Sequence, residues 1–274
     1  MFDGNSRQKL VVRNVRKAFQ SQRAKGAIQV FAEISFDVQP SEFMCLVGPS
    51  GCGKTTFLRI LDGLIPYDSG EMLLDGKAVL KPGIDKGFVF QDASLLPWRT
   101  VIDNIILGLE LQAKEKKSDS RRKAEQFLAM VGLKGFEHHY PHELSGGMRQ
   151  RVNLARALIV DPEILLMDEP FASLDAQTRE IMQAELLKMW NQSKKTVIFV
   201  THQIEEAIFL ADRVVVFSAR PTTVREIVKI DLPRPRDLSV KRTKEFLDYA
   251  DRIWSIIQEE VLKSMRRETE EEAR

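Results

Sequence analysis

Short apolar segments of two kinds follow one another along most of the chain. Near the start, Leu10–Val15 and Val30–Val38 alternate or run apolar over short stretches, which predicts strands of an antiparallel flank. Phe43–Val47 is a compact apolar run, and after a glycine-rich turn the segment Thr55–Leu64 repeats apolar residues at helical spacing. This part of the chain is therefore predicted to form a strand, a loop and a helix in that order.

The alternation of strand and helix is interrupted once. Between about residues 93 and 160 the pattern is mostly helical, and it includes the charged run Lys114–Lys123, which is typical of a solvated helix end or loop. Because strands resume afterwards, the pattern predicts an α/β core with an inserted helical segment. The further predicted strands are Glu71–Leu74, Gly87–Phe90, Ile164–Met167, Thr196–Val200, Val214–Phe217 and Arg225–Ile230.

The last part of the chain is set off by the proline-rich segment Leu232–Asp237, which is predicted to end the α/β fold. After it, an amphipathic helix is predicted, and packing of its apolar stripe on the protein's own core is favoured over binding of a partner helix. We therefore expect a core over residues 1–92 and 160–231, a helical subdomain over 93–159 and a C-terminal helical extension over 232–274. The stripe consists of Phe246, Tyr249, Ala250, Ile253, Trp254, Ile257, Val261 and Met265.

Composition narrows the class of protein. The 41 Lys and Arg residues oppose 39 Asp and Glu, and the net charge of +2 gives no electrostatic basis for nucleic acid as the main partner. Cys45 and Cys52 are the only cysteines, which is typical of a reducing cytosol. No apolar stretch approaches the ~20 residues that a membrane-spanning helix needs, and no secretory signal is predicted. A role at a membrane would require another chain to carry this one there.

Residues 48–55 fit the pattern G-x-x-x-x-G-K-[ST] between a buried strand and a helix. Glycines let such a backbone curl so that N–H groups face one point, and the helix N-terminus adds partial positive charge. Lys54 can reach terminal phosphates, Thr55 can give its hydroxyl to Mg²⁺ and Thr56 can donate to the innermost phosphate. Cys52 occupies a free position, so a redox role is the weaker interpretation. This phosphate loop consists of Gly48, Pro49, Ser50, Gly51, Cys52, Gly53, Lys54 and Thr55.

Two carboxylates follow the apolar run Ile164–Met167, namely Asp168 and Glu169. Ligands bind at the carboxyl ends of strands in an open parallel sheet, so this position suits a site. Asp168 would hold Mg²⁺ through water, while Glu169 would act as general base on the attacking water. Strands often end in acids, and the pair gains weight only because a phosphate loop precedes it.

The most distinctive string is Leu-Ser-Gly-Gly-Met-Arg-Gln-Arg at residues 144–151. Ser145, Gly146 and Gly147 before a helical segment predict a capped helix N-terminus with free N–H groups. An ordinary capped helix would explain these three residues alone. Together with the phosphate loop and the acidic pair, the string resembles the ATP-binding cassette (ABC) ATPases, and the resemblance covers about residues 10–230.

The resemblance implies an α/β fold with a RecA-like P-loop core, an inserted helical subdomain and an N-terminal antiparallel β flank. It implies ATP and Mg²⁺ as the bound groups and a head-to-tail homodimer. In that dimer, Ser145, Gly146 and Gly147 of one copy would close on the γ-phosphate held by Lys54 of the other. Neither copy alone would then hold a complete site.

Other positions match motifs of the same family. Gln91 matches the glutamine that touches Mg²⁺ and water and reports the nucleotide state to membrane subunits. Asp175 matches the loop between the two sites, and His202 matches the switch histidine that binds the γ-phosphate. Phe19 is the candidate for the ring that stacks on adenine, with an ordinary packed strand residue as the alternative.

Two positions depart from the common pattern. Gln203 follows the histidine where Asp is common, which puts the local hydrogen bonding in question. Met148 stands where many members carry Gln, although importers often carry Met. Glu169 and His202 are both present, whereas non-hydrolysing members usually lose one of them, so hydrolysis is expected.

Three features make the chain look like the ATPase subunits of importers for nitrate, sulfonates and taurine. They are a single cassette, the segment Leu95–Thr100 and the Pro-Arg motif in Leu232–Asp237. Such subunits work at the cytoplasmic face of the plasma membrane, where residues 92–100 would line a groove for two permease subunits. A solute-binding protein would take part only indirectly. The alternative for the Pro-Arg motif is a turn with two solvated arginines.

The rival function is a soluble ABC ATPase that acts in iron–sulfur assembly or regulation without permeases. Co-purification with soluble partners would distinguish it. A GTPase would need an Asn-Lys-x-Asp string, which the sequence lacks, so adenine is favoured.

Overall fold

The computed structural model describes residues 8–21, 26–113 and 116–272. The strands, in chain order, are β1 (Leu10–Ser21), β2 (Gly26–Val38), β3 (Phe43–Val47), β4 (Ser69–Leu74), β5 (Lys77–Ala78), β6 (Lys86–Val89), β7 (Ile164–Asp168), β8 (Thr196–Val200), β9 (Arg213–Phe217) and β10 (Thr222–Lys229). The α-helices are α1 (Lys54–Asp62), α2 (Val101–Ile105), α3 (Leu107–Gln112), α4 (Lys117–Met130), α5 (Gly146–Leu158), α6 (Ala176–Ser193), α7 (Ile204–Leu210) and α8 (Lys244–Glu272). Contacts divide the chain into two units, Met1–Gly83 with Thr196–Arg274 and Ile84–Lys195.

The first unit contains a mixed sheet with the strand order β5-β4-β1-β2-β10-β9-β3-β8. Strand β1 pairs antiparallel with β2 and β4, which confirms the predicted antiparallel flank. Strand β3 pairs in parallel with both β8 and β9. All residues of β3 and β8 are buried, as expected for parallel strands whose sequences are continuous apolar runs.

Several predicted boundaries in this unit differ from the structure. Strand β1 continues past Val15 to Ser21 with irregular register, so alternation of apolar and polar residues does not mark its end. Strand β5 was not predicted. The two residues before it, Asp75 and Gly76, form a turn in which both have positive φ, 49° and 75°. The Asp-Gly pair is a strong hairpin signal that could have predicted this strand.

The second unit contains the parallel pair β6 and β7 together with helices α2 to α6. Helices α2 to α5 all lie between these two adjacent strands in sequence, which confirms an inserted helical segment. Residues 117–123 of the charged run begin α4 and are mostly exposed, as predicted, and residues 114 and 115 lie outside the described part of the chain. The boundaries at 92, 159 and 231 stay a prediction.

The C-terminal helix α8 contacts α7 and β9. Phe246 and Ile253 are fully buried, so packing on the core is confirmed for them. The expectation is wrong for Trp254 and Met265, which are each 58% exposed. Among residues 8–21, 26–113 and 116–272, no helix is both long and apolar enough to cross a bilayer.

Candidate functional site

The phosphate loop can curl tightly between β3 and α1 because its glycines have no side chains where neighbouring atoms approach closely. A Cβ on Gly53 would lie 2.6 Å from Val30 Cγ1, and Gly53 has φ +106°. A Cβ on Gly48 would lie 2.8 Å from the carbonyl oxygen of Phe217. Contacts this short exclude side chains at both positions, so β2 and the end of β9 enclose the loop.

Lys54 lies inside this curl. Its side chain is buried, and Nζ donates to the carbonyl oxygens of Gly48 at 2.9 Å and Pro49 at 3.1 Å. Thr55 and Thr56 are half-buried on the first turn of α1, while Ser50 is exposed. A buried ammonium beside a helix N-terminus is a site for a polyphosphate, so the residues fit the group that the sequence predicts.

Cys52 is buried in the same loop, and Cys45 is buried in β3. Burial raises the pKa of both thiols, and for Cys52 the charge of Lys54 only partly opposes this shift. A thiol with a raised pKa forms less of the reactive thiolate at neutral pH. The redox interpretation of Cys52 therefore gains no support.

His202 follows β8, whose last residue pairs with Leu46 just before the phosphate loop. Because β3 and β8 are parallel neighbours, the loop and His202 leave the same edge of the sheet. His202 is exposed, and the backbone N–H of Gln203 donates to Thr201 Oγ1 at 3.0 Å. Thr201 also donates to the buried Glu206, so local hydrogen bonds are made despite the glutamine at position 203.

Phe19 lies on β1 and is 39% exposed. This exposure shows that the ring is not fully packed in the core, and the choice between the two interpretations stays open. Lys17 Nζ lies 5.1 Å from the centre of its ring. An exposed aromatic face suits stacking on a flat ligand, and stacking on adenine stays a prediction.

In the second unit, the parallel pairing of Val89 with Met167 brings Gln91 and Asp168 to the same edge of β6 and β7. Asp168 is buried, while Gln91 is exposed and Glu169 is half-buried. Glu169 has φ +45°, in the left-handed region that non-glycine residues seldom adopt. Such strain often accompanies function, and the sequence gives no sign of it.

The predicted helix N-terminus at the signature string is confirmed. Ser145 caps α5 by accepting a hydrogen bond from the backbone N–H of Met148 at 3.3 Å. Ser145 and Gly146 are exposed and Gly147 is half-buried. A cleft of about 370 Å³, whose lining includes Gln91, Gly146 and Ser173, lies in this unit. The glutamine and the signature turn (residues 145–147) therefore open on one space.

A row of polar residues on α5, which was not predicted, fixes the segment around Gln91. Gln150 and Asn153 donate to the carbonyl oxygen of Phe90 at 3.2 and 3.1 Å. Arg156 donates to Ala93 at 2.7 Å and to Ser94 at 3.1 Å. Polar residues recurring three apart on an otherwise apolar helix face are the signal that could have found them.

Asp175 has a local role that the resemblance does not describe. Its carboxylate caps α6 by accepting from the backbone N–H of Thr178 at 3.0 Å. This hydrogen bond holds the pKa of Asp175 below its usual value. The aspartate therefore fixes the start of α6, and its predicted position between two sites stays untested.

The Pro-Arg motif is not a solvated turn. Arg236 is buried and donates to the carbonyl oxygens of Ile208, Phe209 and Ala211 at 2.7 to 3.0 Å. Burial lowers its pKa to about 10, so it stays charged at neutral pH. Arg234 likewise donates to Asp212 at 2.8 Å. Both arginines hold the C-terminal end of α7, the helix that begins after His202.

Comparisons with known proteins agree with this geometry. The family model described as ABC transporter matches residues 31–172. An uncharacterized ABC transporter ATP-binding protein of Methanocaldococcus jannaschii is 53% identical over 94% of this chain and 94% of its own length. An aliphatic sulfonates import ATP-binding protein of Bacillus cereus is 44% identical over 85% and 91%. A nitrate import ATP-binding protein of Synechocystis is 42% identical over 90% and 94%.

A solved structure is also similar. It is a dimeric ATP-binding cassette in a post-hydrolysis state, bound to ADP and Pi, with a TM-score of 0.72 and 30% identity. The match covers 82% of this chain and all of that chain.

Proposed function

Because this chain belongs to the ABC transporter family of ATP-binding proteins, we propose that it hydrolyses ATP to power uptake of a small anion such as nitrate, a sulfonate or taurine. The observation that carries the proposal is Lys54, buried inside a glycine curl at a helix N-terminus. The α/β fold and the ATPase activity agree with the family and with the cassette that binds ADP and Pi. The anion class is supported by the relatives named for sulfonate and nitrate import.

Each residue near the nucleotide has a proposed task. Lys54 and the N–H groups of residues 48–53 bind the terminal phosphates, and Thr56 donates to the innermost phosphate. Phe19 stacks on the adenine. When bound, Mg²⁺ neutralises phosphate charge during the displacement, and the residues proposed to hold it are Thr55, Gln91 and Asp168.

Hydrolysis is assigned to two further residues. Glu169, whose backbone has the left-handed φ of +45°, accepts a proton from the attacking water as general base. His202 donates a hydrogen bond toward the γ-phosphate, with its backbone held by the Thr201 bonds to Gln203 and Glu206. Gln91 couples ATP hydrolysis to its own segment of the chain, which α5 fixes through the carbonyl oxygen of Phe90.

We further propose that two copies form the working enzyme head to tail. Ser145, Gly146 and Gly147 would close on the nucleotide bound to the other copy, with Asp175 near the junction. The exposure of Ser145 and Gly146 supports this, as does the dimeric cassette of similar fold. The signature turn has an N-terminal dipole and a hydroxyl, and the guanidinium of Arg149 lies beside it and donates to the carbonyl oxygen of Leu144 at 2.7 Å.

Docking to permeases is assigned to residues 92–100. Buried Asn104 shapes this segment, because it accepts from Leu96 N at 2.7 Å and donates to the carbonyls of Arg99 and Thr100 at 3.0 Å. Trp98 remains 72% exposed on a loop that is otherwise well fixed. An exposed aromatic on a rigid loop is a good anchor for a partner helix. The chain would then work at the cytoplasmic face of the plasma membrane.

The test is isolation of the chain from a detergent-solubilised membrane fraction, with identification of the accompanying proteins. We expect two permease subunits, and ATP hydrolysis that rises when a solute-binding protein loaded with a sulfonate or nitrate is added. Trp98→Ala should weaken the permease association while ATP hydrolysis by the isolated chain stays unchanged. Soluble iron–sulfur assembly proteins in place of permeases would contradict the proposal and favour the rival function.

A further inference from the structure

The segment 218–223, which contains the turn between β9 and β10 and the first two residues of β10, makes direct contact with the phosphate loop. Thr222 is fully buried, and its Oγ1 donates to the carbonyl oxygen of Cys52 at 2.6 Å. A Cβ on Gly51 would lie 4.0 Å from a terminal nitrogen of Arg220. Cys52 comes two residues before Lys54, so Thr222 fixes the loop backbone beside the lysine.

This segment is internally rigid. Ser218 Oγ accepts from the backbone N–H of Thr223 at 2.9 Å, and Ser218 N donates to the carbonyl of Thr223 at 3.0 Å. Thr222 also pairs with Phe31 of β2, whose ring lies against Gly53. The hydroxyl of Thr222 is therefore held in place from two sides.

The C-terminal helix α8 fixes the other side of this turn. Glu260 is buried, and its carboxylate accepts from the backbone N–H of Ala219 at 3.2 Å. The same carboxylate pairs with Arg225 and Lys263, both at 3.1 Å. A buried carboxylate is costly unless it is hydrogen-bonded and paired, and these partners meet that need.

We infer that the segment 218–223 braces the phosphate loop, with Thr222 as a positioning residue and Glu260 of α8 holding the brace. The inference rests on the proposed function in so far as the loop binds a nucleotide. The inference gives helix α8 a structural role that no pattern in the sequence of the helix indicates. The helix stabilises the nucleotide-binding conformation of a loop nearly two hundred residues earlier in the chain.

The two cysteines provide a test within the full chain. Cys52 lies in the braced loop, whereas Cys45 lies in the middle of buried β3, so reaction of each thiol reports a different opening of the structure. We would label the chain with N-ethylmaleimide without nucleotide and measure each cysteine by mass spectrometry. Thr222→Val keeps the shape and removes the donor, and Thr222→Ser keeps the donor.

Thr222→Val is expected to speed labelling of Cys52 by about tenfold, the size expected when one buried hydrogen bond is lost. Labelling of Cys45 should stay unchanged, and Thr222→Ser should restore slow labelling of Cys52. Unchanged labelling of Cys52 in Thr222→Val would overturn the inference. A parallel rise at Cys45 would overturn it too, because the substitution would then loosen the whole unit.

The contribution of α8 is tested with Glu260→Gln against its exposed neighbour, Glu259→Gln. Only Glu260→Gln should speed the labelling of Cys52, and it should raise KM for ATP several-fold with a smaller change in kcat. If the two variants behave alike, Glu260 of α8 does not hold the brace, and that part of the inference is wrong. Failure of ATP to protect Cys52 in the unmodified chain would contradict the proposed function but not the brace, which is measured without nucleotide.

Discussion

The phosphate loop and the signature turn both lead into a helix N-terminus through glycines, but only the loop is enclosed by its own unit. At Gly53 a Cβ would meet Val30 at 2.6 Å, whereas at Gly146 the nearest atom would be 3.9 Å away, on Arg149. The loop also encloses a buried lysine, while Ser145 and Gly146 are exposed. The loop is therefore an enclosed anion site, whereas the turn is exposed at Ser145 and Gly146 and is packed only at Gly147, where a Cβ would lie 3.2 Å from Thr178.

This difference assigns binding to the loop and completion of the site to the turn. Glycine serves a different purpose in each. In the loop it permits a tight curl against neighbouring strands, and in the turn it leaves backbone N–H groups open to a second molecule.

ATP hydrolysis should be separable from ATP binding by the loop and from closure of the signature turn on the nucleotide. Glu169→Gln should lower kcat by about 10²–10⁴, or ~3–5 kcal/mol of barrier, because the general base is lost. Binding of ATP to the loop should persist, as measured by equilibrium dialysis with labelled nucleotide. Normal turnover by this variant would show that another group removes the proton.

Enclosure of the loop predicts a large packing effect at Gly53. Gly53→Ala should lower the free energy of unfolding by about 3 kcal/mol, from positive-φ strain together with overpacking against β2. Gly76→Ala is the matched control, since Gly76 also has positive φ but nothing lies within 4 Å of its Cβ position. It should cost only ~1 kcal/mol in urea unfolding. Equal losses would mean that the loop is not enclosed.

Lys54 should contribute to binding itself. Lys54→Ala should weaken ATP affinity by about tenfold to a hundredfold, because a charge-assisted hydrogen bond to phosphate is lost. Titration with a fluorescent ATP analogue measures this affinity. Unchanged affinity would leave the buried lysine without its assigned task.

The signature turn should tolerate change in the isolated chain. Gly146→Ala adds a side chain at an open helical position, so the free energy of unfolding should change by less than about 1 kcal/mol. ATP binding to the loop should be normal, while hydrolysis should fall because the added methyl group lies where the second copy closes. A large loss of stability would show that the turn is packed within its own unit.

Sequence patterns predicted those elements that are buried on both faces. Phe43–Val47 and Thr196–Val200 are continuous apolar runs, because parallel strands in this sheet have no solvated side. The glycine pattern at 48–55 and the cap at Ser145 are local, so neighbouring residues suffice to identify them. Phe19 as the adenine-stacking ring stays a prediction, because the sequence does not indicate that this residue is exposed.

Long-range polar contacts could not be predicted. Arg236 and Thr222 bond to backbone carbonyl oxygens, which carry no residue identity, so nothing in the sequence marks their partners. Solvated arginines were the alternative interpretation of the motif containing Arg236, because prolines usually mark exposed turns. Glu260 stands in a helix rich in acids, and its burial depends on a turn some forty residues away.

The claim that each site is divided between two copies is tested most directly by mixing Lys54→Ala chains with Ser145→Arg chains, each inactive alone. In a mixed dimer one site combines both defects and the other contains an intact loop and an intact turn. About a quarter of the unmodified ATPase activity should return if copies pair at random. Activity that stays at the level of the separate variants, with mixed dimers present, would contradict the account.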